Sequence, residues 1–358
     1  MHEMKPFGTS ASRIALSALS AALAAAGLLL ASLAQASAPA YLTFIANSRT
    51  LHPSVEIAHL DGSDPRTLGP GMSALLAPSG SLVAAIRLLP PQDNTTSELL
   101  TYPARGGAPR RLYHYDGFLV LAGWSADSKL LLAYGTGNSD AGPLLVINTV
   151  SGSVTTIARG VIGGASFAPN ASDDVVYALA RSLLGSAPIN LFISSAHGSS
   201  RRQLTSDGHS FYPVWGARAI FFARSRSRGP QDDPINQLWS ITPRGEDARQ
   251  LTHMSVGPLV AGLVPVAASA NGERVLADFG GTDTSAAWTV TLSGATTVAR
   301  ALNGVTDGDS PDALARDGAT VLITKGFEGS PTSIESIPWA GGKPTVLSAH
   351  GANASWNA

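Results

Sequence analysis

The sequence contains no cysteine. Disulfides, thiol nucleophiles, cysteine-held metals and lipid attachment through cysteine are excluded, so the fold must hold by core burial alone. Charge is scarce as well. Asp, Glu, Lys and Arg make up 14% of the 358 residues, and the net charge is -1. A nucleic-acid surface needs a basic excess or stripe, so no nucleic acid is expected as a partner. The charged, helix-favouring repeats of a helical bundle are missing. In their place stand 37 Gly and 23 Pro with many Ser and Thr, as a turn-rich all-β chain requires. The sequence also lacks a Gly-x-Ser-x-Gly elbow, a P-loop, a dinucleotide fingerprint and any His-x-His or HExxH spacing, so no local motif points to catalysis, a cofactor or a metal.

The first forty residues differ from the rest. Lys5 and Arg13 precede Ile14–Leu33, which is almost entirely apolar, and Ala34-Gln35-Ala36 is a small-x-small site. This order is that of a secretory signal peptide over residues 1–36, with a mature chain beginning at Ser37 in the periplasm or outside the cell. The run is also long enough to span a bilayer, so a retained membrane anchor is the competing reading.

After Ser37 the chain reads as short strands and turns. Phe211–Thr252 shows it most clearly, with apolar pieces at Tyr212–Trp215, Ala219–Ala223, Gln237–Ile241 and Ala248–Thr252, each bounded by Gly, Pro or charge. Four strands joined by hairpins form one small antiparallel sheet, which cannot bury both faces alone and needs neighbours of its own kind. A closing turn-and-strand recurs seven times: DGSDPRTL from Asp61, RGGAPRRL from Arg105, SGSVTTI from Ser151, HGSSRRQL from His197, RGEDARQL from Arg244, SGATTV from Ser293 and GGKPTVL from Gly341. Successive copies lie roughly 44–49 residues apart, the spacing of propeller blades. Opening motifs recur more loosely, as in LLAPSG from Leu75, GWSADS from Gly123, SFAPNA from Ser166 and PVWGAR from Pro213.

Four pieces, WSADSK (Trp124–Lys129), YPVW (Tyr212–Trp215) and RQLT at Arg202–Thr205 and Arg249–Thr252, resemble the TolB-type propeller repeat. That repeat has the form x-P-x-W-S-P-D-G, an apolar strand, a loop, a strand, a turn and R-x-L-T. The resemblance runs from about Tyr41 to the end of the sequence. It implies a single domain over residues 37–358, a seven-bladed β-propeller of four-stranded antiparallel blades. Blade one has no first strand of its own near Tyr41, and Ser355-Trp356 near the end stands where WS or VW opens other repeats. The C-terminal strand is therefore expected to pair into blade one and close the ring, removing two open edges.

In such a ring the loops between blades and those between second and third strands share one face. They offer Asp116, His209, Asp309 and His350, and the long RSRSRGPQDDPIN loop with Arg224, Arg226, Arg228, Asp232 and Asp233. These are the candidate binding residues, since binding groups concentrate on loops. Each also has a plainer role. Asp at such corners caps turns, and the Arg run can be a solvated loop end. Asp307-Gly-Asp309-Ser-Pro-Asp312 resembles a calcium loop but lacks its later Gly and terminal Glu. Trp124, Trp215 and Trp356 are expected to pack between blades. No cofactor, metal or catalytic residue is assigned. By the resemblance, the expected function is an exported, monomeric, non-catalytic propeller binding an envelope protein or peptide on that face. The alternatives are a carbohydrate- or lactone-active lyase or hydrolase with a channel metal, for which only His209 and His350 offer ligands, and a sugar- or cell-wall-binding module.

Overall fold

A computed structural model describes residues 40–89, 96–136, 141–170, 172–181, 187–226, 234–255, 257, 260–281, 285–326 and 331–357. The expected signal segment and candidates Arg228, Asp232 and Asp233 lie outside the described residues. Among the described residues there are 27 strands and no helix.

The strands follow one another as hairpin-linked meanders. The first holds β1 (Tyr41–Ala46), β2 (Ser54–His59) and β3 (Arg66–Pro70). The second holds β4 (Ser73–Leu76), β5 (Leu82–Leu88), β6 (Ser97–Pro103) and β7 (Arg110–Tyr115). Next come β8 (Phe118–Trp124), β9 (Leu130–Thr136) and β10 (Gly142–Asn148), then β11 (Val154–Phe167), β12 (Asp174–Ala180), β13 (Asn190–Ser195) and β14 (Arg202–Gln203). The fifth meander is β15 (Ser210–Trp215), β16 (Ile220–Arg226), β17 (Ile235–Ile241) and β18 (Arg249–Gln250). The sixth is β19 (Val260–Ala268), β20 (Arg274–Gly281), β21 (Ser285–Ser293) and β22 (Thr296–Ala301). The seventh is β23 (Ser310–Leu314), β24 (Thr320–Lys325), β25 (Ser333–Pro338) and β26 (Thr345–Ser348). The last strand, β27 (Ala352–Trp356), returns to the first meander. It pairs antiparallel with β1, setting Leu42 opposite Trp356 and Thr43 opposite Ser355, and the sheet order is β27-β1-β2-β3.

Two features depart from the sequence reading. β11 is one 14-residue strand where two were expected. Its first part pairs with β10 and its second with β12, with Gly160 at φ +144 where they meet, so two meanders merge into one seven-stranded sheet. The closing strands β14 and β18 shrink to two residues each. Five of the innermost strands share a bulge, with register shifts at Leu121/Gly123, Ile162/Ala165, Phe211/Val214, Pro265/Ala267 and Pro311/Ala313. An extra residue at these points bends the strand and increases its twist.

The middle strands are apolar at consecutive positions because both of their faces are covered. Side chains alternate across a strand. In β12, Val175 and Tyr177 enter the cluster shared with the meander before, while Val176 and Ala178 enter the cluster shared with the meander after. Every core cluster joins two meanders in this way. Ile45, Val55 and Ile57 meet Val83 and Leu100, and Ile86 and Leu99 meet Leu119 and Leu131. Phe221 and Leu238 meet Val275, and Leu276 meets Val321 and Trp339. One cluster joins the seventh meander to the first, packing Leu322, Ile334 and Leu347 on Leu42, Phe44 and Ala354.

The recurrent Arg of the closing motif has a structural reason. Arg66 donates to the carbonyls of Ala104 and Arg105, Arg110 to Thr149 and Val150, and Arg202 to Pro243 and Arg244. Each reaches the closing turn of the next meander, where its fixed fork can serve two carbonyls at once. The seventh and first meanders instead meet backbone to backbone. Gly62 has φ +82, and a Cβ there would lie 1.9 Å from Leu347 O. Gly62→Ala is therefore expected to lower stability through left-handed strain of about 1–3 kcal/mol plus the cost of moving β26. Urea unfolding of the variant beside Gly106→Ala, where a Cβ meets nothing within 4 Å at φ +89, separates the clash from the strain.

Candidate functional site

A cavity of about 480 Å³ takes one residue from the end of each innermost strand: Leu76, Trp124, Phe167, Trp215, Ala268, Leu314 and Trp356. The turns that follow complete its wall with Pro78, Ala126, Asn170, Ala217, Ser269, Arg316 and Asn357. The inner strands are stitched together at this end. Trp124 Nε1 donates to Leu75 O at 3.0 Å, Leu76 N to Ser355 Oγ at 3.2 Å and Trp215 N to Ser166 Oγ at 3.2 Å. Ala270 N donates to Arg316 O at 2.7 Å, and Ser79 N to Ser128 Oγ at 3.0 Å. Tyr41 N donates to Asn357 Oδ1 at 2.9 Å, which holds the last turn. The cavity wall is thus fixed by hydrogen bonds between neighbours, most of them joining a side chain of one to the backbone of the next.

The chemistry of the wall is one-sided. Three indoles and a phenyl ring supply wide apolar faces, with Asn and Ser at the margin. Arg316 is exposed and is the one ionisable group among the described lining residues. A guanidinium does not give up its proton in a protein, and the Ser269 hydroxyl is bonded to Asn271 Oδ1 at 2.7 Å. The arrangement can bind an apolar segment and offer one positive charge. The same three Trp also pack against the clusters between neighbouring meanders, as the sequence led us to expect, but that reading missed their second role. The signal was present: the position that carries Trp in GWSADS and PVWG carries Leu in LLAPSG and Phe in SFAPNA.

The candidates read from the sequence lie at the other end of the innermost strands, where these begin. Asp207 Oδ1 accepts from His209 N at 2.9 Å and Ser210 Oγ at 2.9 Å, a turn cap. Arg224 pairs with Asp207 Oδ2 at 2.9 Å and lies over the Trp239 ring at 4.1 Å, so its charge is largely spent inside the fold. His209 and Arg226 are exposed. Asp309 is 2% exposed and accepts from Thr306 N, Thr306 Oγ1 and Gly326 N. This is a buried cap rather than the opening of a calcium loop. Asp116 is exposed, 3.4 Å from His114 Nε2, and His350 Nε2 stands 3.9 Å from Glu56 Oε2. Asp207, His209 and Arg224 come together; Asp116, Asp309 and His350 each belong to a different meander. Among the described residues no group of three His, Asp or Glu side chains could hold a metal ion.

One half-buried acid stands apart. Asp312, the bulge residue of β23, accepts from Thr324 Oγ1 at 2.7 Å, and Thr324 Oγ1 in turn accepts from Asn353 N at 2.9 Å. Burial pushes the Asp312 carboxyl up to about 7, although the Thr324 hydroxyl and the Ala354 amide favour its charged form. Burial likewise raises Asp278, which accepts from Ser285 Oγ at 2.8 Å.

Comparison with solved structures shows the fold. TolB from Acinetobacter baumannii superposes with a TM-score of 0.54 at 13% identity, over 88% of this chain and 82% of that one. The β-propeller domain of the Trilobed protease from Pyrococcus furiosus, described as having an open velcro topology, gives 0.61 at 12% identity over 86% and 92%. An oligogalacturonate lyase in complex with manganese gives 0.54 at 14% identity over 82% and 81%. No protein-family model matches the chain, and no curated protein matches it in sequence. The chain has a TolB-like β-propeller fold, and at these identities the likeness speaks of fold alone.

Proposed function

We propose that this is an exported, non-catalytic propeller of seven four-stranded blades, closed by β27, that binds a protein or peptide partner at the aromatic cavity. The seven meanders, the core cluster between the seventh and the first, and the pairing of β27 with β1 support the closed ring. The basic start, apolar run and small-residue site of residues 1–36 support export, and with it a periplasmic or extracellular partner. The observation that carries the binding reading is the cavity itself. Its apolar wall with a single cation is a binding surface, and no described lining residue is placed to move a proton. Proteins related in fold serve different ends, so the residues of this cavity weigh more than the neighbours' names.

A photo-crosslinking residue in place of Ala217, on the cavity rim, should capture a protein partner in the producing cell. The same residue in place of His209, at the opposite end, should capture none. Trp215→Ala should reduce capture from the rim by about 30-fold, the effect of truncating a central aromatic anchor. Ala126→Glu, which sets an acid on another exposed part of the wall and leaves the core alone, should do likewise. Capture from position 209 but not from 217 would move the partner to the face first suggested by the sequence.

A further inference from the structure

At the end of the fold opposite the aromatic cavity, the first and second meanders enclose another cavity, of about 560 Å³. Its walls are the loop between β1 and β2, the end of β3 with the turn that follows, and the end of β5. These parts are tied to one another. Gly71 N donates to Pro53 O at 3.1 Å, Met72 N to Ile86 O at 2.8 Å and Tyr102 Oη to Pro70 O at 2.8 Å. Thr50 Oγ1 donates to Asn47 O at 3.0 Å and accepts from His52 N at 3.1 Å, which shapes the loop. The lining is aliphatic along Leu51, Pro53, Met72 and Leu88, and no Phe, Tyr or Trp is among the described lining residues.

Arg87 is the one Arg or Lys among those residues, and none of them is Asp or Glu. Its partner in the ladder, Glu98, is buried and paired with it. That carboxylate is shared, because Glu98 Oε1 also receives Arg111 Nη1 at 3.1 Å. Two guanidinium groups thus stand against one carboxylate, and one positive charge is left over. Arg224, at the matching position of the fifth meander, is answered one to one by Asp207 and lies over Trp239. Arg87 Nε is buried without an acceptor among the described residues, so the guanidinium has donors to spare. The hydroxyls of Ser54 and Thr67 also line the cavity.

We propose that this cavity binds a small aliphatic carboxylate, with its head against Arg87 and its chain along Met72 and Leu88. The charge selects a monoanion. A carboxylate cancels the surplus, a cation adds to it and a phosphate dianion exceeds it. The wall selects the body, since Leu, Met and Pro offer close contact to an alkyl chain and no ring on which a base or sugar could stack. Small-ligand sites are of this form, roughly 300–1,000 Å³ with an apolar lining and a few placed polar groups. The site is separate from the aromatic cavity and does not depend on the partner proposed there.

Isothermal titration of the purified protein with octanoate should show a single site with a Kd on the order of 300 µM. Octanol should bind at least about tenfold more weakly, and octylammonium should not bind. Arg87→Met keeps the apolar stem and should weaken octanoate at least about tenfold, erasing the preference over octanol. Leu51→Glu sets an acid at an exposed lining position and should weaken octanoate as much while melting like the wild type. It carries the test if loss of Arg87 unsettles Glu98. Arg316→Ala, in the aromatic cavity, should leave octanoate binding unchanged. Octanoate that does not bind by about 10 mM overturns the proposal, as does octanol that binds equally well. So does a folded Leu51→Glu that binds octanoate unchanged. Loss of binding in Arg316→Ala overturns it too, placing the carboxylate in the aromatic cavity.

Discussion

Deleting residues 351–358 is expected to give a chain that melts far below the full-length protein and self-associates. β27 is the innermost strand of the first sheet, beside β1, and its loss bares the edge of a strand whose residues Leu42, Phe44 and Ile45 are fully or almost fully buried. Four supports go with it. Ala354 leaves the cluster between the seventh and first meanders, and Trp356, packed on that cluster, leaves with it. Ser355 Oγ no longer receives Leu76 N, and Asn357 Oδ1 no longer receives Tyr41 N. Loss of a large packed aromatic alone costs about 3–5 kcal/mol, against a typical folding free energy of about 5–15 kcal/mol. The bared strand is also a template for pairing between chains, so aggregation should accompany the lower melting temperature. Thermal melting with size-exclusion chromatography tests this directly. A truncated chain that stays monomeric and melts unchanged would mean that the last strand is dispensable and that the proposed closure of the ring by β27 is wrong. Ser355→Ala is the gentler companion. It removes one buried hydroxyl acceptor and should cost about 1 kcal/mol without aggregation.

The strands were legible because their signals are local. Tyr212–Trp215 and Gln237–Ile241, read from alternation and turn residues, fall within Ser210–Trp215 and Ile235–Ile241. Ser355-Trp356 stood out as an opening motif at the wrong end of the chain, and the structure pairs Ser355 with Thr43. The two-residue β18 was overestimated because ARQLT has strand-like composition, yet Thr252 Oγ1 turns inward to receive Leu238 N and to donate to Gln237 Oε1 in place of a longer ladder. β11 was split in reading because Gly160 looks like a loop, whereas a glycine at positive φ lets one strand pass between two meanders. The cavity could be read only by comparing repeats, for a different reason. Leu76, Trp124, Phe167, Trp215 and Trp356 are tens to hundreds of residues apart, and each taken alone reads as a core position. Only the fold brings the ends of the inner strands together, so no spacing within one repeat could announce the site. Arg224 shows the converse. The sequence offered it as a binding group or a solvated loop end, but Asp207 and Trp239, from elsewhere in the fold, already engage the guanidinium.

Stability should fall as pH rises from about 4 to about 7, and Asp312 should be the cause. In the unfolded chain its carboxyl ionises near 3.8, while in the fold burial holds it at about 7. Below both values the group is protonated in either state and contributes nothing. Between them the unfolded chain has released a proton that the fold retains, so each step up in pH favours unfolding. Above about 7 both states are ionised, and the fold carries the full penalty of a buried charge, at most roughly 4 kcal/mol by linkage. The penalty falls at the meeting of the seventh and first meanders, since the carboxyl receives the Thr324 hydroxyl and the Ala354 amide, and Thr324 receives Asn353 N. Asp312→Asn removes the ionisation and keeps an acceptor for Thr324. It should be near neutral at about pH 4 and stabilising at about pH 8, flattening the decline. The paired carboxylates act in the opposite sense. Burial opposes ionisation of Glu98, but Arg87 and Arg111 hold it below its ordinary value, so its contribution is lost at low pH in both proteins. The difference between wild type and variant, measured by urea unfolding at several pH values, therefore isolates Asp312. A variant that is destabilised equally at every pH would show that Asp312 serves as a hydrogen-bond acceptor alone, with no proton linked to the joining of first and last meanders.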